Sequence, residues 1–282
     1  TWLGRYRCSA LVLDSGEYRN RWVENVHGYL GEDPANPDEL RARVHKDLAQ
    51  YPKVQVENLR VESISTDGDS FELQAGDRTL RAKRVILATG TRDEFPEVEG
   101  FFEHYGSEVF HCPLCDGYEG RGKDVAVFGW DESVAGFAMR MLNWAASVTV
   151  VTHGCRLTED RSLCDRLETK GIEVVDDDPV ELLGSRGELR GVRLTNGRVL
   201  DCNLLFFSLP ERPVNALAEQ LGCRLDAKGH VEVDKDGLTS VKGVYAAGDL
   251  TPGEQLVQVA AAEGAIAAAA CAESLVFGDG GG

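Results

Sequence analysis

Two cysteines separated by two residues and followed at once by an acid occur in the segment HCPLCDGYEG, residues 111–120. Such a pair suits three kinds of chemistry: a metal clamp, a structural disulfide, or a dithiol that is oxidised and reduced. Zinc takes four ligands, and the other cysteines offer no second pair at this spacing. A structural disulfide across so short a loop contributes little stability and is rare in a reducing compartment. The pattern therefore favours redox chemistry at Cys112 and Cys115.

The composition limits the class of protein. The 282 residues include 47 acidic and 30 basic ones, and the net charge of −17 argues against nucleic acid or an anionic membrane as partner. We find no apolar run that approaches a bilayer span. The scattered cysteines do not form a secreted disulfide framework, so we expect a cytoplasmic protein. We expect the remaining six cysteines to be buried as small apolar residues: Cys8, Cys155, Cys164, Cys202, Cys223 and Cys271.

Short β-branched segments alternate with helical segments, which predicts a parallel sheet covered by helices on both faces. The first predicted strand, Ser9–Leu13, leads to Asp14 and has the layout of the second half of a βαβ unit. The first strand and the Gly-rich loop of that unit do not appear in the sequence. Further strands are predicted at Val54–Ile64, Phe71–Gln74, Arg84–Ala88, Val125–Phe128, Ser147–Val151, Ile172–Val175, Leu189–Leu194, Leu204–Ser208 and Val244–Ala246. Helices are predicted at Pro37–Gln50, Ser133–Trp144, Arg161–Lys170, Asn215–Leu221 and Leu256–Val276.

Four segments, in this order along the chain, resemble the low-molecular-weight thioredoxin reductases, which are FAD-dependent pyridine nucleotide-disulfide oxidoreductases. The segments are Asp14 at a strand end, ILATG at 86–90, the cysteine pair with Asp116, and GVYAAGDL at 243–250. The resemblance implies an α/β fold with two dinucleotide-binding, Rossmann-like, three-layer domains, and a homodimer. It implies a discontinuous FAD-binding domain and an NAD(P)-binding-like domain with the cysteines. The expected ranges are 1–108 with 212–282 for the first and 109–211 for the second.

The same resemblance implies a set of FAD-binding residues. Asp14 is expected to accept the hydroxyl groups of the adenosine ribose, and Asp249 to bind the ribityl chain, although each acid also suits a solvated turn. The start of the last helix is expected to contact the flavin. His27, in the segment ENVHGYLG, either faces the flavin or is a hydrogen-bonded structural histidine. The full predicted set is Asp14, Asn25, His27, Ala88, Thr89, Gly90, Gly248, Asp249, Gln258, Val259 and Ala260.

For the cysteine pair, the resemblance implies that Cys115 lies against the flavin C4a atom and that Cys112 exchanges with the substrate. Asp116 is expected to be the acid or base that protonates the leaving thiolate or activates the attacking thiol. No metal is expected. The segment CPLCDGYE also resembles the C-P-x-C-H-G-[YW]-E pattern of flavin-dependent dithiol oxidases, which pass electrons to oxygen. It has Asp116 where those oxidases tend to have His.

The second dinucleotide loop, VAVFGWDESVAG at residues 125–136, departs from the family pattern. It keeps the first glycine, but Asp131 stands at the second glycine position and Val134 at the third small residue. A carboxylate beside two phosphates costs binding energy, and the backbone needs room to approach them. The segment that contains His153 and Arg156 has neither an arginine pair for the 2′-phosphate of NADPH nor an acid for NADH. We therefore predict that ordinary NADPH binding is lost.

Together these observations predict an FAD-dependent thiol–disulfide oxidoreductase in which the Cys112–Cys115 pair exchanges electrons with the flavin and NADPH is a doubtful cofactor. The expected partner is a small dithiol or disulfide, or a thioredoxin-like protein. Three alternatives stay open. They are an ordinary NADPH-dependent thioredoxin-disulfide reductase, a dithiol oxidase that uses oxygen, and a flavin redox sensor without turnover.

Overall fold

The computed structural model of the protein describes residues 1–152, 161–208 and 210–278. In chain order, its helices and strands are α1 (Trp2–Arg5), β1 (Ala10–Asp14), α2 (Pro37–Leu48), β2 (Val54–Asn58), β3 (Ser63–Asp67), β4 (Ser70–Ala75), β5 (Arg78–Ala82), β6 (Val85–Leu87), β7 (Thr91–Asp93), α3 (Phe101–His104), β8 (Val109–Phe110), α4 (Pro113–Asp116), β9 (Asp124–Gly129), α5 (Ser133–Met141), β10 (Ser147–Thr152), α6 (Arg161–Thr169), β11 (Glu173–Asp176), β12 (Pro179–Ser185), β13 (Glu188–Leu194), β14 (Val199–Asp201), β15 (Leu204–Ser208), β16 (Glu211–Pro213), α7 (Ala216–Gln220), β17 (Val244–Ala246) and α8 (Val257–Phe277). Short 3₁₀ turns lie at Arg19–Trp22, Gly117–Gly120 and Gly248–Leu250.

The chain forms two compact units. The first comprises Thr1–Arg21, Tyr29–Arg92 and Glu211–Gly282, and the second comprises Trp22–Gly28 and Asp93–Pro210. The expected boundary after residue 108 therefore differs from the observed one after residue 92.

Packing explains why residues 93–108 belong to the second unit. Phe101 and Tyr105 are almost fully buried and share a core cluster with Val109 and Phe207 of that unit. The segment from Trp22 belongs to the same unit and lies close to Gly106, where an added Cβ atom would be 2.2 Å from the backbone oxygen of Trp22. Aromatic packing and close backbone approach thus draw both segments to the second unit.

Parallel strand pairs position the polar residues of the first unit. Strand β1 pairs with β2, and β6 pairs with β17. Strands β3, β4 and β5 form an antiparallel sheet. The predicted single strand Val54–Ile64 is wrong, because β2 pairs in parallel with β1 whereas β3 pairs antiparallel with β4, and the chain turns between them.

Helix α8 is the long alanine-rich helix of the first unit. Its 21 residues include an 18-residue window of mean hydropathy 1.5, of which 17% is buried. By length and composition it is apolar enough to cross a membrane, so the expectation that no apolar run approaches a bilayer span is wrong. A core helix of a soluble protein passes the same test, and the absence of a membrane partner stays a prediction.

A five-stranded parallel sheet organises the second unit, in the order β11-β10-β9-β15-β8. Strand β9 has five consecutive buried residues, as expected for a strand covered on both faces. A three-stranded antiparallel sheet, β12-β13-β14, is formed by the chain between β11 and β15. Because all strands of the main sheet run in one direction, the residues after β8, β9 and β15 emerge at the same edge. The cysteine pair follows β8 and lies at that edge.

Candidate active site

Cys112 and Cys115 are joined by a disulfide with an S–S distance of 2.08 Å and a Cα–Cα distance of 5.2 Å. Both residues are partly exposed. Pro113 begins the short helix α4, where its missing N–H has no intrahelical partner to lose. The Sγ atom of Cys112 accepts a hydrogen bond from the backbone N–H of Cys115 at 3.1 Å. Such a donor stabilises negative charge on a sulfur, so this contact favours Cys112 as the thiolate of the reduced pair.

Other cysteines of the described chain are single thiols in different surroundings. Cys202, Cys223 and Cys271 are buried, and burial raises the pKa of Cys202 to about 12 and that of Cys271 to about 11. These two thiols therefore stay protonated and unreactive at neutral pH. The predicted burial is wrong for Cys8 and Cys164, which are partly exposed. The prediction for Cys155 lies outside the described residues.

Asp116, the last residue of α4, is buried directly after the disulfide. Burial raises the pKa of its carboxyl from 3.8 to about 7. The positive charge of His27 opposes this rise, and the negative charge of Glu119 adds to it. An acid with a pKa near neutrality can both hold and release a proton under ordinary conditions, which suits general acid–base work.

The structure brings His27 to this acid rather than leaving it in the first unit, where it was expected. Its Nε2 atom lies 3.9 Å from Oε1 of Glu119. Asn25 belongs to the same segment and is exposed. The flavin contacts expected for His27 and Asn25 stay predictions. Sequence reasoning gave Glu119 no role. Its position three residues after Asp116, about one helical turn away, could have indicated that the two side chains are neighbours.

In the first unit, several predicted FAD-binding residues lie at the carboxyl ends of β6 and β17. Ala88, Thr89 and Gly90 follow β6, and Gly248 follows β17. Gly90 has φ +66°, and a side chain added there would meet nothing within 4 Å. Open backbone of this kind admits the close approach of a ligand. The hydroxyl of Thr89 donates to the backbone oxygen of Val214 at 2.6 Å.

Asp14 lies at the end of β1 with both carboxylate oxygens engaged. Oδ1 accepts from the backbone N–H of Gly16 at 2.8 Å, and Oδ2 accepts from the hydroxyl of Tyr18 at 2.6 Å. Each oxygen keeps a further lone pair for a ligand hydroxyl. These contacts orient the carboxylate, which is what ribose recognition requires.

Asp249 is joined to a residue that sequence reasoning missed. Its Oδ2 atom lies 3.3 Å from Nη1 of Arg19, and Nη2 of Arg19 lies 2.9 Å from Oε2 of Glu211. Arg19 also donates to Gln255, which in turn donates to Glu211 at 2.5 Å. The network connects the segment after β1 to the segment after β17. No signal in the sequence indicated these contacts, because Asp249 and Glu211 are 230 and 192 residues away from Arg19 along the chain.

The start of α8 completes this region. The side-chain oxygen of Gln258 accepts from the backbone N–H of Leu30 at 3.0 Å. Val259 and Ala260 lie in the first turn of the helix, and the Cβ atom of Ala260 would be 3.5 Å from a side chain added at Gly248. The open backbone at Gly90, the oriented carboxylates and the guanidinium group of Arg19 fit a dinucleotide such as FAD.

The loop after β9 in the second unit differs from a dinucleotide site. Oδ1 of Asp131 accepts from the backbone N–H of Ser133 at 2.8 Å, at the start of α5. Val134 does not narrow the loop as predicted. It is fully buried in the core, and a side chain added at Gly129 would meet its Cβ atom at 2.3 Å. Val134 therefore packs the helix onto the strand. The predictions for His153 and Arg156 lie outside the described residues.

Comparison with known proteins agrees with these features. A family model for pyridine nucleotide-disulphide oxidoreductases matches residues 19–264. The chain belongs to this family. Thioredoxin reductase tcpT of Claviceps purpurea is 29% identical over 269 residues, covering 87% of this chain and 80% of its own.

Two solved structures extend the likeness. TrxB of Bacillus anthracis, provisionally assigned as a thioredoxin reductase, has a TM-score of 0.90 at 30% identity and covers 98% of this chain and 93% of its own. An oxidoreductase of Agrobacterium tumefaciens has a TM-score of 0.87 at 32% identity, with the same coverage.

Membership of the pyridine nucleotide-disulphide oxidoreductase family confirms the predicted fold and the predicted class of enzyme. The fold is of the thioredoxin reductase type, with Rossmann-like α/β units. The protein is an enzyme of thioredoxin reductase-like oxidoreductase type that acts on disulfides. The family binds FAD and uses nicotinamide dinucleotides.

Proposed function

We propose that the protein is an FAD-dependent thiol–disulfide oxidoreductase whose redox-active pair is Cys112 and Cys115. The observation that carries this proposal is a disulfide followed directly by a buried acid whose pKa is raised to about 7. A structural disulfide is not opened and closed, so it does not need an acid that exchanges protons near neutral pH. The substrate is a small dithiol or disulfide, or a thioredoxin-like protein; the names of the thioredoxin reductase relatives favour the thioredoxin-like protein.

The residues of the pair divide the work. In the reducing direction, the Cys112 thiolate attacks the substrate disulfide, one substrate thiolate leaves, and a mixed disulfide forms. The Cys115 thiolate then attacks Sγ of Cys112, which closes the enzyme disulfide and releases the second substrate thiolate. Asp116 supplies a proton to a leaving thiolate, and in the oxidising direction its carboxylate removes a proton from the attacking thiol. Two electrons move between enzyme and substrate in either direction.

FAD, when bound, supplies the two-electron exchange partner of the cysteine pair. Asp249 and Asp14 would hold its hydroxyl groups, and Gly90 would let the backbone approach it closely. Arg19 offsets the charge of Asp249 and Glu211, which would otherwise repel a bound pyrophosphate.

We further propose that NADPH is not an ordinary electron donor. The carboxylate of Asp131 already accepts the helix-terminal N–H that a pyrophosphate would use. The competing proposal is an NADPH-dependent thioredoxin reductase, and the names of the relatives favour it. A homodimer is proposed on the family resemblance alone, and a cytoplasmic location on the scattered cysteines, which do not form a secreted disulfide framework.

Anaerobic reduction of the bound flavin tests both proposals. Dithiothreitol should bleach the flavin of the native protein, and NADPH at micromolar concentration should not. Cys112→Ser should stop bleaching by the dithiol, while Cys8→Ser, at a partly exposed single cysteine, should leave it unchanged. Rapid stoichiometric bleaching by NADPH would support the competing proposal of an NADPH-dependent thioredoxin reductase. Full dithiol activity in Cys112→Ser would show that Cys112 and Cys115 are not the redox-active pair. Oxygen uptake with the dithiol then tells an oxidase from a reductase.

A further inference from the structure

The buried position of Asp116 raises a problem of proton supply. Reduction of a disulfide to two thiols takes up two protons, and the reverse reaction releases them. Asp116 is 7% exposed, so water has little direct access to its carboxyl group. A buried acid that serves every cycle needs a neighbour through which its proton is replaced.

Glu119 and His27 lie where such a neighbour is needed. The Oε2 atom of Glu119 is buried and has no hydrogen-bond partner within the described part of the chain. A buried carboxylate oxygen without a partner is costly, and such atoms are found where chemistry requires them. The Oε1 atom of the same side chain faces Nε2 of His27 at 3.9 Å.

The three side chains differ in their exposure to solvent. Asp116 is buried, the side chain of His27 is 23% exposed, and that of Glu119 is 32% exposed. Both neighbours act electrostatically on Asp116, and they act with opposite sign. Helix α5 also packs against α4, and its one charged residue, Arg140, lies over the ring of Phe137.

We propose that His27 and Glu119 form a proton path between Asp116 and solvent. The inference deepens the proposed function and rests on it. When the enzyme disulfide is reduced, Asp116 gives its proton to a thiolate and is left as a carboxylate. The imidazolium of His27 returns a proton to Asp116 and is itself recharged by water, while the carboxylate of Glu119 holds the imidazolium in place. When the enzyme disulfide forms again, the proton moves the opposite way, and no electrons move along this path.

A cycling assay that does not require flavin tests the path. The protein is given dithiothreitol and hydroxyethyl disulfide, so that the cysteine pair is reduced by one and oxidised by the other. We expect His27→Ala to lower the turnover at neutral pH by roughly 10-fold or more, below the ~10²–10⁴-fold that a direct general acid contributes. Added imidazole should restore the turnover, because it carries protons in place of the missing ring.

His45→Ala is the matched control, since His45 is an exposed histidine on α2. Its turnover and that of the native protein should not respond to imidazole. A His27→Ala protein that cycles as fast as native, or one that is slow and unresponsive to imidazole, would overturn the path. If Cys112→Ser loses cycling and His27→Ala cycles normally, the proton path is refuted and the proposed function stands. If Cys112→Ser cycles normally, the proposed function itself is refuted.

A second measurement separates a proton path from a merely structural contact. Glu119 raises the pKa of Asp116 and His27 lowers it. Glu119→Gln should therefore move the alkaline limb of the turnover–pH profile to lower pH, and His27→Ala should move it to higher pH. Glu119→Asp should recover the native profile in part, and Glu188→Gln, an exposed acid on β13, should leave it unchanged. If the alkaline limb moves in the same direction in Glu119→Gln and His27→Ala, or does not move, then these residues do not act on the proton of Asp116 as proposed. Glu119→Gln preserves side-chain shape, so it decides the matter if His27→Ala fails to fold.

Discussion

The carboxylate of Asp131 lies 2.8 Å from the backbone nitrogen of Ser133 and accepts its hydrogen bond at the first turn of α5. In a dinucleotide fold, the N–H groups of this turn bind the pyrophosphate, helped by the positive end of the helix dipole. Here the chain supplies its own anion. A dinucleotide would have to displace this carboxylate and then bind beside its charge.

Substitutions at Asp131 separate the charge from the space that the side chain takes. We expect Asp131→Asn to raise the affinity for NADPH by about 10-fold, since each 1.4 kcal/mol of relieved repulsion is a factor of ten. Asp131→Gly should raise it further, because it also frees the N–H of Ser133. Isothermal titration measures both. Asp124→Asn, at the exposed start of β9, is the control, and equal weak binding in all four proteins would count against a role for Asp131.

Val134 should behave as a core residue and not as part of a ligand loop. It is fully buried, and it packs on Gly129. We expect Val134→Ala to lower the free energy of unfolding by about 1–3 kcal/mol, by loss of buried methyl groups and the cavity that they leave. The affinity for NADPH should stay unchanged. Urea unfolding and titration give the two values, and a gain in affinity without loss of stability would show that the side chain does obstruct the loop.

Much of the fold was predictable because hydrophobic periodicity reports local structure. Strands β15 and β17 begin and end at the predicted residues, and α8 is shifted by one residue. The predictions failed where long-range pairing decides the outcome. The chain between β2 and β3 turns because the two strands have different partners. Strand β12, which contains Pro179 and a glycine, carries weak local signals and forms through pairing with β13.

The candidate site divides in the same way. The cysteine pair and Asp116 follow from spacing, since contiguous residues stay together in any fold. The influence of His27 on Asp116 does not follow from spacing, because the two residues are 89 positions apart in sequence. His27 acts on Asp116 because residues 22–28 pack into the second unit. Val134 was misjudged for a related reason: a motif position shows where a residue stands along the chain, while burial decides which way it faces.

Asp116 should make the stability of the protein depend on pH. Its pKa is raised by burial from 3.8 to about 7, so the folded state binds more protons than the unfolded state between these values. The stability that the protonated acid contributes is therefore present below about pH 4 and is lost as pH rises to about 7. Asp116→Asn removes this loss. At alkaline pH we expect the variant to be more stable than native by up to ~4 kcal/mol, at 1.36 kcal/mol per pH unit.

Urea unfolding of the oxidised protein at a series of pH values measures this difference. Native protein and Asp116→Asn should differ least at acid pH and diverge toward neutrality. Asp201→Asn, at an exposed acid of the same unit, should follow the native curve. A gap between Asp116→Asn and native that stays constant over the whole range would mean that the pKa of Asp116 is the same in the folded and the unfolded state.

Asp249 and Arg19 should contribute to FAD affinity in different ways. Asp249→Ala removes a charge-assisted hydrogen-bond acceptor for a ligand hydroxyl, and such a loss costs about 1.5–3 kcal/mol, or roughly 10–150-fold in affinity. Arg19 would still be held by Glu211 and Gln255. Arg19→Gln should weaken FAD binding too, because it leaves Asp249 and Glu211 without their cation beside a doubly charged pyrophosphate.

Salt separates the two effects. High salt screens repulsion between charges, so it should restore part of the FAD affinity of Arg19→Gln and little of that of Asp249→Ala. Equilibrium dialysis with FAD at low and high salt gives the four affinities, and the flavin content of the purified proteins gives an independent measure. Asp77→Ala, at an exposed acid in the turn before β5, is the control. Full flavin content and unchanged affinity in Asp249→Ala would remove Asp249 from the FAD site, and equal salt responses in both variants would show that Arg19 does not act through its charge.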